Sequence, residues 1–527
     1  MFTNPRRSGI SNQRCLVSDF MPAEDAEAGA VWPVRIEPAP ARPTDGARPV
    51  RGTRFDRERH LRIAPEPVRA YEGAQPTAVA SGATVALRRR WREAPRTMNN
   101  NGKAMNRRRF LQAAGRGATV MIVAPSVLGR AGAVAPNSRI VMANMGHGNR
   151  ASAIIGHFMQ FPEIHMKAVC DCRADRLQKG VERVNAFYGN RDCEALRDFR
   201  ELMARPDIDA VFIATGNRWH GLGSIWAAKA GKDVYCEKPT TLTVAEGREL
   251  VETCTRHGTV YQAGHQRRSV DSYRFMKEVV REGLIGRVHT VIMQVWEGPV
   301  IQPRPYEEPP AGFDYDMWLG QTPWRPFNWA HVWSWQYFWD TAEGILTDMG
   351  CHYTDLMQFT LETDDTGPVE FEGWAEWPPP GAYSETPVRA EVRCRYDNGV
   401  TGILQQRGGF GERFIRFVGD EGWIQVDDET NRVTAAPASI LRKRSILNKS
   451  WADTGGHIRD WIQAIRQRTK PACHPETTHR AMTICQVANI CLRLGRPLRW
   501  DPAAERFPDD EEANRMLARA RRTPWHA

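Results

Sequence analysis

The sequence lacks repeated Cys-x-x-Cys pairs and long apolar runs, and these absences exclude several protein classes. Its 11 cysteines are odd in number, which argues against a framework of disulfides. Cys170 and Cys172 flank a single residue at the end of a predicted strand, so their side chains point to opposite faces and are poorly placed to share a metal. We therefore expect buried thiols and no metal site. Outside a weakly apolar segment at residues 117–128, no stretch approaches the ~20 apolar residues that a spanning helix needs.

The part of the chain that is expected to fold also lacks an excess of positive over negative residues. The 527 residues carry a formal charge of +10, but residues 1–135 hold 23 Lys and Arg against 11 Asp and Glu, and the rest hold 49 against 51. A nucleic-acid-binding protein carries its basic surface on the folded domain, where phosphates are neutralised. The near-neutral body therefore excludes nucleic acid as the expected partner.

Residues 1–104 are rich in Arg, Pro and Ala and show no sustained helical or strand period. Such a composition predicts disorder, because no face could bury enough apolar surface. A translation start set too far upstream, with Met98 or Met105 as the true first residue, is the alternative.

Residues 105–135 have a charged start, an apolar run and small residues, which is the layout of a signal peptide. The pair Arg107 and Arg108, followed by Phe110 and Leu111, resembles a twin-arginine signal. This predicts a partner in the twin-arginine export machinery and a periplasmic or exported protein, anchored in the membrane if the signal stays uncleaved. A basic amphipathic helix that lies on the body is the alternative.

From residue 136 onward, short β-branched runs alternate with helical patterns. This alternation predicts an α/β fold, a doubly wound parallel sheet of Rossmann type, over residues 136–268. Later runs such as "RVHTVIMQVWEG" and "GVTGILQQRG" alternate apolar and polar residues and end at turn residues. They predict an α+β domain with an open, mainly antiparallel sheet over residues 269–527.

A Gly-x-Gly-x-x-Ala turn connects the first predicted strand to the first predicted helix. Glycines there let the backbone approach a pyrophosphate, and the helix N-terminus offers free N–H groups. The second strand ends on a carboxylate that can accept hydrogen bonds from ribose hydroxyls. A tight turn that needs glycine for its own geometry is the alternative. The predicted nicotinamide dinucleotide site comprises Gly146, His147, Gly148, Asn149, Arg150 and Asp171.

NAD is expected in preference to NADP. The Asp171 carboxylate would repel a 2′-phosphate and accept from a free 2′-hydroxyl. NADP is the alternative cofactor, because the guanidinium of Arg173 could bind the 2′-phosphate.

The stretch "DVYCEKPTTLT" ends a later strand on Glu237, Lys238 and Pro239. Strands of a parallel sheet end at one edge, so the Lys238 ammonium is predicted to face nicotinamide and substrate. A Lys-Pro bond can be cis at little cost. Further along, Asp348 and His352 are four residues apart in a predicted helix, which puts both side chains on one face. A surface lysine and a surface pair are the respective alternatives.

These stretches, together with "DAVFIATGNRWH", "YQAGHQRRS" and "LTDMGCHYTDL", resemble the Gfo/Idh/MocA family of oxidoreductases over residues 138–525, and in particular its exported bacterial branch. The resemblance implies a carbohydrate or polyol substrate and a homo-oligomer. It assigns His352 as the acid/base, with Asp348 beside it in the substrate site. Lys238 would then donate a hydrogen bond to the reacting oxygen.

The resemblance also implies that Thr215, His220, Glu237 and Lys238 contact the cofactor. A core or capping role is the alternative for His220. Two positions depart from the family pattern: Ala151 replaces a glycine, and Gly216 stands where a proline is common, which could alter the cofactor loop.

Tryptophan is dense between residues 318 and 339. Indole faces stack on sugar rings, which suits a carbohydrate substrate, and packing between domains is the alternative. The six tryptophans are Trp318, Trp324, Trp329, Trp333, Trp335 and Trp339.

Three functions of different classes follow. The first is an NAD(P)-dependent oxidoreductase that transfers hydride to or from a hydroxyl-bearing carbon of a sugar, glycoside or cyclitol. The second is an NAD-dependent glycoside hydrolase that oxidises its sugar transiently and eliminates the aglycone. The third is a non-catalytic, ligand-responsive binding protein, against which the presence of Lys238, Asp348 and His352 argues.

Overall fold

The computed structural model describes residues 134–446 and 454–526. The predicted disordered segment 1–104, and all but the last two residues of the predicted signal segment 105–135, lie outside the described residues. No helix within the described ranges is long and apolar enough to cross a membrane.

Six short strands form the first sheet. All neighbours pair in parallel, in the order β3-β2-β1-β4-β5-β6. Side chains of β1, β2, β4 and β5 are almost all buried, because helices cover both faces of the sheet. The strands are β1 (Ile140–Met145), β2 (Ile164–Cys170), β3 (Glu194–Leu196), β4 (Ala210–Ile213), β5 (Asp233–Cys236) and β6 (Tyr261–Ala263). The predicted doubly wound sheet is confirmed, although β3 was not expected.

Helices connect these strands. They are α1 (Asn149–Met159), α2 (Ala174–Tyr188), α3 (Phe199–Met203), α4 (Asn217–Lys229) and α5 (Val244–His257). Helix α4 has almost no exposed residue, whereas α2 shows one apolar face and one polar face. The α5 N-terminus has a side-chain cap, because Thr243 accepts from the main-chain N–H of Glu246 across 3.1 Å.

Eight strands form the second sheet, in the order β13-β12-β11-β7-β10-β9-β8-β14. Only β7 and β10 pair in parallel, so the prediction of a mainly antiparallel sheet is confirmed. The strands are β7 (Val288–Val295), β8 (Glu370–Glu376), β9 (Arg389–Arg395), β10 (Thr401–Gln406), β11 (Phe414–Gly419), β12 (Gly422–Asp427), β13 (Val433–Ala436) and β14 (Leu498–Arg499). Strands β8, β13 and β14 were not expected.

Some of the remaining helices bury one face of the second sheet, and its other face is left open. One apolar core unites side chains of β7, β9, β10, β11 and β12 with those of the helices that pack on them. The helices that follow β6, including those that pack elsewhere, are α6 (Asp271–Arg281), α7 (Tyr315–Leu319), α8 (Trp329–Trp333), α9 (Ile345–Asp348), α10 (Gly350–Leu361), α11 (Gly455–Gln467), α12 (Pro475–Leu494) and α13 (Glu511–Asn514).

The chain returns to the Rossmann domain near its C-terminus. Helix α11 packs Ile458 and Trp461 into the core formed by β1, β2 and α1, and Trp525 enters the core on the other face of the sheet. The expected division at residue 268 therefore separates the two sheets but not the two cores.

Candidate active site

The carboxyl edge of the parallel sheet gathers the predicted site residues. Gly146 follows β1, Asp171 follows β2, Thr215 lies two residues beyond β4, and Lys238 lies two residues beyond β5. His265, which was not among the predicted site residues, lies two residues beyond β6. Because parallel strands end at one edge, these five loops border one crevice.

The turn after β1 can hold a dinucleotide diphosphate. Gly146 has φ +83°, and a Cβ atom added there would lie 2.6 Å from Cγ2 of Thr215, so only glycine fits. Gly148 occupies the N-cap of α1, and no side chain caps that helix end. A helix N-terminus of this kind, which carries a partial positive charge, is suited to an anion. Ala151, which replaces the usual glycine, is fully buried below the turn.

His147 supports this turn from beneath. Asn144 donates its side-chain N–H to the main-chain oxygens of Gly146 and Phe212, so its Oδ1 accepts from Nδ1 of His147 across 2.9 Å. Nε2 of His147 is left to accept from the Ser152 hydroxyl across 3.1 Å. Burial, followed by the charges of Arg183 and Arg176, lowers the pKa of His147 to about 4. The imidazole is thus neutral and structural.

Asp171 borders the crevice next to the turn after β1. Its carboxylate accepts from the main-chain N–H of His147 across 2.7 Å and from that of Arg173 across 2.8 Å. The Arg173 side chain turns away and donates two hydrogen bonds to Asp175. Its guanidinium also lies 5.5 Å from the centre of the Phe313 ring. This arrangement restrains the movement toward a 2′-phosphate that the sequence left open.

Lys238 and Asp348 come together from the two domains. Nζ of Lys238 donates to the main-chain oxygen of Asp348 across 2.8 Å and lies 3.5 Å from its Oδ1. The Lys238–Pro239 peptide bond is cis. Both side chains are mostly but not wholly buried, which leaves the ammonium accessible to a ligand.

The structure corrects the prediction of one helix through Asp348 and His352. Helix α9 ends at Asp348 and α10 begins at Gly350, so the four-residue spacing spans a break at Met349. The N–H of His352 bonds to the main-chain oxygen of Met349 instead of that of Asp348. The break therefore releases the Asp348 oxygen, which accepts from Lys238.

His352 and His265 form the floor of the site. Their rings meet edge to face with centroids 5.5 Å apart, and both residues are buried. Nδ1 of His352 and both ring nitrogens of His265 have no hydrogen-bond partner. Burial, followed by the charges of Arg267 and Lys238, lowers the pKa of His352 well below its usual value. Nδ1 of His265 lies 4.0 Å from a carboxylate oxygen of Asp355. Buried polar atoms are normally paired, so Nδ1 of His352 is suited to meet a ligand.

Glu237 ties the floor to the dinucleotide turn. Its Oε1 accepts from Arg150 of α1 across 3.2 Å and from Gln266 across 2.8 Å, whereas its buried Oε2 has no partner. Burial raises the pKa of Glu237, but the charges of Arg150 and Lys238 outweigh it and the pKa is lowered. The carboxylate is therefore charged and held beside Lys238. Asn149, the first residue of α1, starts the helix that carries Arg150.

His220 lies away from solvent and between two loops. Its Nδ1 is 2.7 Å from the main-chain oxygen of Pro239, and its Nε2 is 3.1 Å from that of Thr215. His220 therefore links the loop after β4 to the loop after β5.

Some tryptophans between residues 318 and 339 are buried and others are exposed. Trp318 is buried in a cluster with Phe313 and Tyr315, whereas Trp324 is 65 % exposed and Trp333 is 40 % exposed. Trp329 and Trp333 stack with centroids 5.2 Å apart. The segment therefore supplies both a core and exposed indole faces.

The described cysteines, from Cys170 to Cys491, are all free. Burial raises the pKa of most of these thiols, as at Cys485, where it reaches about 12. In the described ranges, no three His, Cys, Asp or Glu side chains are grouped as metal ligands. Cys15 lies outside those ranges.

The chain resembles curated oxidoreductases in sequence. It is 29% identical over 369 residues to the uncharacterized oxidoreductase YrbE of Bacillus subtilis, covering 68% of this chain and 96% of that one. It is 31% identical over 150 residues to myo-inositol 2-dehydrogenase of Thermotoga maritima, covering 28% and 43%. It is also 31% identical over 175 residues to glycosyl hydrolase family 109 protein 1 of Shewanella, covering 29% and 37%.

Solved structures share the fold. An aldose-aldose oxidoreductase from Caulobacter crescentus aligns with a TM-score of 0.53 at 18% identity, over 68% of this chain and 99% of that one.

Two family models cover the two domains in turn. The NAD-binding Rossmann fold of the oxidoreductase family matches residues 140–265, and the C-terminal alpha/beta domain of the same family matches residues 276–527. The chain is therefore an NAD-binding oxidoreductase that belongs to the Gfo/Idh/MocA family.

Proposed function

We propose that this protein transfers hydride between NAD and a hydroxyl-bearing carbon of a sugar, glycoside or cyclitol. The observation that carries the proposal is the contact between Lys238 and Asp348, which lies four residues before His352, together with the lack of a hydrogen-bond partner at Nδ1 of His352. A donor, a carboxylate and a neutral imidazole at one crevice are the groups that alcohol oxidation requires. The bound nicotinamide supplies the hydride acceptor.

His352 is the proposed base. Its imidazole must be neutral to accept the hydroxyl proton, and its lowered pKa keeps it neutral at physiological pH. The positive charges that lower this pKa also disfavour the protonated form, so proton release from the imidazolium is easy.

Lys238 is the proposed stabiliser of the reacting oxygen. Its ammonium donates to the main-chain oxygen of Asp348 and, over a longer distance, to its Oδ1, which leaves one N–H group for substrate. A fixed positive donor beside the carbinol oxygen stabilises the negative charge that develops as its proton leaves. The Asp348 carboxylate would accept from a second substrate hydroxyl.

The substrate class rests on two kinds of support. The relative from Thermotoga maritima is named a myo-inositol 2-dehydrogenase. The exposed indoles of Trp324 and Trp333 offer apolar faces on which a sugar or cyclitol ring can stack.

Spectrophotometry with NAD⁺ and a panel of sugars and cyclitols tests the proposal. We expect at least one compound to produce an absorbance increase at the nicotinamide band, together with a keto product found by mass spectrometry. If no compound in either direction changes the cofactor's oxidation state, the proposal is rejected.

A redox-assisted glycoside hydrolase is the second candidate. It is favoured by the similarity to glycosyl hydrolase family 109 protein 1, which spans part of each chain. Transient oxidation next to the glycosidic carbon would use Lys238 and His352 in the same roles. Release of nitrophenol from aryl glycosides, with NAD⁺ required but not consumed, would favour this candidate over net oxidation.

We also propose that the protein folds around its cofactor in the cytoplasm and is exported by the twin-arginine route. The support is the layout of residues 105–135, with Arg107 and Arg108 before an apolar run. Cell fractionation of a tagged full-length chain, before and after the two arginines are replaced by lysines, tests this. Periplasmic protein that depends on the arginine pair is expected.

Self-association is a further proposal for the open face of the second sheet. Strand β9 presents the exposed arginines Arg389, Arg393 and Arg395, and the neighbouring β8 presents Trp374, which is 56 % exposed. Light scattering of the purified protein should give the mass of a dimer or a larger assembly. A monomeric mass would reject this proposal.

A further inference from the structure

Four arginines are buried in the described part of the chain, and one of them differs from the rest. Arg267 pairs with Asp428, Arg268 with Asp355, and Arg413 with Asp428. Arg218 is 2 % exposed, yet within residues 134–446 and 454–526 no carboxylate forms an ion pair with it. A buried charge without a counter-charge costs free energy.

The contacts that Arg218 makes hold it in place without neutralising it. Its Nε donates to the main-chain oxygen of Trp318, and its guanidinium carbon lies 3.8 Å from the centre of the Trp318 ring. Nη1 has no hydrogen-bond partner. Burial lowers the pKa of Arg218 to about 10, and the groups that oppose this are the thiol of Cys172 and the phenol of Tyr315.

Two neighbouring side chains are also unpartnered. Asn217, which precedes Arg218 in the first turn of α4, has a buried Nδ2 without an acceptor. His331 lies against the same indole, with its ring centre 5.2 Å from that of Trp318, and both of its nitrogens lack a partner. Buried polar groups are normally satisfied. The unsatisfied atoms here include N–H donors, which require an acceptor.

The cluster of Arg218, Asn217 and His331 is connected to the candidate active site by a short 3-10 helix and by helix α4. The guanidinium lies 6.0 Å from the centre of the Trp335 ring, and Trp335 begins a short 3-10 helix that ends at Tyr337. The same 3-10 helix is bonded to the start of α9, because the N–H of Gly344, the N-cap of α9, donates to the main-chain oxygen of Gln336 across 2.8 Å, and α9 ends at Asp348. Helix α4 also carries His220, which contacts the loop of Lys238.

The departure at Gly216 is explained by the same side chain. A Cβ atom added to Gly216 would collide with Nη1 of Arg218. The guanidinium thus occupies the space that a proline ring at this position would need. Gly216 and Arg218 together place a positive charge at the start of α4, next to the loop that follows β4.

We propose that Arg218, assisted by Asn217 and His331, binds an oxyanion carried by the ligand. The carboxylate of a sugar acid and the diphosphate of the dinucleotide share this chemistry. The carboxylate of a sugar acid is the oxyanion that would extend the proposed function, because it would make the substrate a uronate or an aldonate. The choice of sugars as probes rests on that proposed function.

Stability of the ligand-free protein separates a binding role from a structural one. Arg218→Met removes an uncompensated charge and keeps the side-chain length, so Tm should stay equal or rise. Arg268→Met is the matched control, because it strips a buried carboxylate of its partner and should lower Tm by more than about 5 °C or prevent folding. A Tm loss in Arg218→Met as large as in the control would indicate that Arg218 is structural.

Equilibrium binding then identifies the oxyanion. The probes are D-glucuronate, D-galacturonate and D-gluconate, each compared with D-glucose and D-galactose on the NAD-loaded protein. The sugar acids should bind the wild type more tightly than the neutral sugars. Arg218→Met should weaken sugar-acid binding by about 10- to 100-fold and leave neutral sugars unchanged, and Arg218→Lys should restore part of the affinity.

NAD⁺ titrations distinguish the two sources. A loss of NAD⁺ affinity of about 10-fold or more in Arg218→Met, with sugar binding unchanged, would assign the oxyanion to the diphosphate. Unchanged binding of both the sugar acids and NAD⁺ would overturn the proposal. These measurements require no turnover, so a protein that binds sugar acids without reducing NAD⁺ would reject the proposed function and leave this inference standing.

Discussion

Nζ of Lys238 donates to the main-chain oxygen of Asp348 across 2.8 Å, and this bond connects the two domains at the point where the chemistry is proposed. The acceptor is available because the helix breaks at Met349, where the N–H of His352 bonds to Met349 instead of Asp348. A local irregularity in one domain thus orients an ammonium that belongs to the other.

Replacing Lys238 by Met should reduce kcat by about 10² to 10³, because a positioned charged donor to the reacting oxygen is lost. Folding and NAD⁺ affinity should change little, since the lysine is partly accessible and makes one strong contact. Steady-state kinetics and NAD⁺ titration measure these effects.

Lys232 provides a matched control at the opposite end of β5. Its Nζ donates to the main-chain oxygens of Arg205 and Ile208, far from the carboxyl edge of the sheet. Lys232→Met should therefore lower Tm and leave kcat per folded molecule unchanged. Near wild-type turnover in Lys238→Met would make Lys238 an ordinary turn residue.

The sequence predicted where the site residues lie only insofar as a parallel sheet places the ends of its strands at one edge. Gly146, Asp171 and Lys238 each follow a strand, so a sequence that reveals the strands also places their ends at one edge. His265 follows β6 by the same rule and could have been found in this way. The break at Met349 could not, because the pattern of apolar residues through α9 and α10 is compatible with one helix.

Other features depended on contacts that no local pattern encodes. The apolar face of α11 predicts a buried helix, but it does not say that Trp461 packs against Phe158 in the Rossmann core. Arg218 likewise carries no signal in sequence that distinguishes it from Arg267. Only the arrangement of carboxylates in space shows that one is paired and the other is not.

The pH dependence of kcat/KM should report the lowered pKa of His352. Its neutral form is the active one in the oxidation direction, and burial places its pKa below the usual value of about 6.5. Activity governed by this group should therefore stay level as the pH falls to that value and decline only below it. His352→Asn should lower kcat by about 10² to 10⁴ and abolish this acidic limb. A limb centred at or above the usual value would contradict the assignment.

Cofactor selection should depend on Asp171 and on the restraint of Arg173. Wild-type protein should bind NADH more tightly than NADPH, because the carboxylate repels a 2′-phosphate. Asp171→Ser should narrow the difference. Asp175→Ala removes the two hydrogen bonds that hold the Arg173 guanidinium, and it should raise NADPH affinity without weakening NADH binding. Tighter NADPH binding by the wild type would reverse the expected preference.

Acid should destabilise the protein partly through His147. Its folded pKa of about 4 lies below the unfolded value of about 6.5, so the folded state binds fewer protons between these values. The resulting stability is complete above the unfolded pKa and is lost as pH falls toward the folded one. By pH 4.5 this group should cost about 2 to 3 kcal/mol, measured by denaturant unfolding.

The variant His147→Gln should remove that part of the pH dependence. Ser152→Ala is the control, because it deletes a hydrogen bond to His147 and no titrating group. It should lower the free energy of unfolding by a similar amount at both ends of the pH range. An unchanged pH slope in His147→Gln would show that other groups carry the acid sensitivity.

The losses of rate caused by replacing Lys238 and His352 should not be independent of each other. Both are proposed to act on one hydroxyl, since the imidazole takes its proton while the ammonium stabilises the oxygen. Removing either group leaves the other without its function, so the double variant Lys238→Met, His352→Asn should lose much less than the product of the single losses. Single-turnover measurements of hydride transfer, with NAD⁺ binding shown to be intact in all three variants, decide the matter. Multiplicative losses would mean that the two residues act at different steps, and the shared-oxygen arrangement would have to be withdrawn.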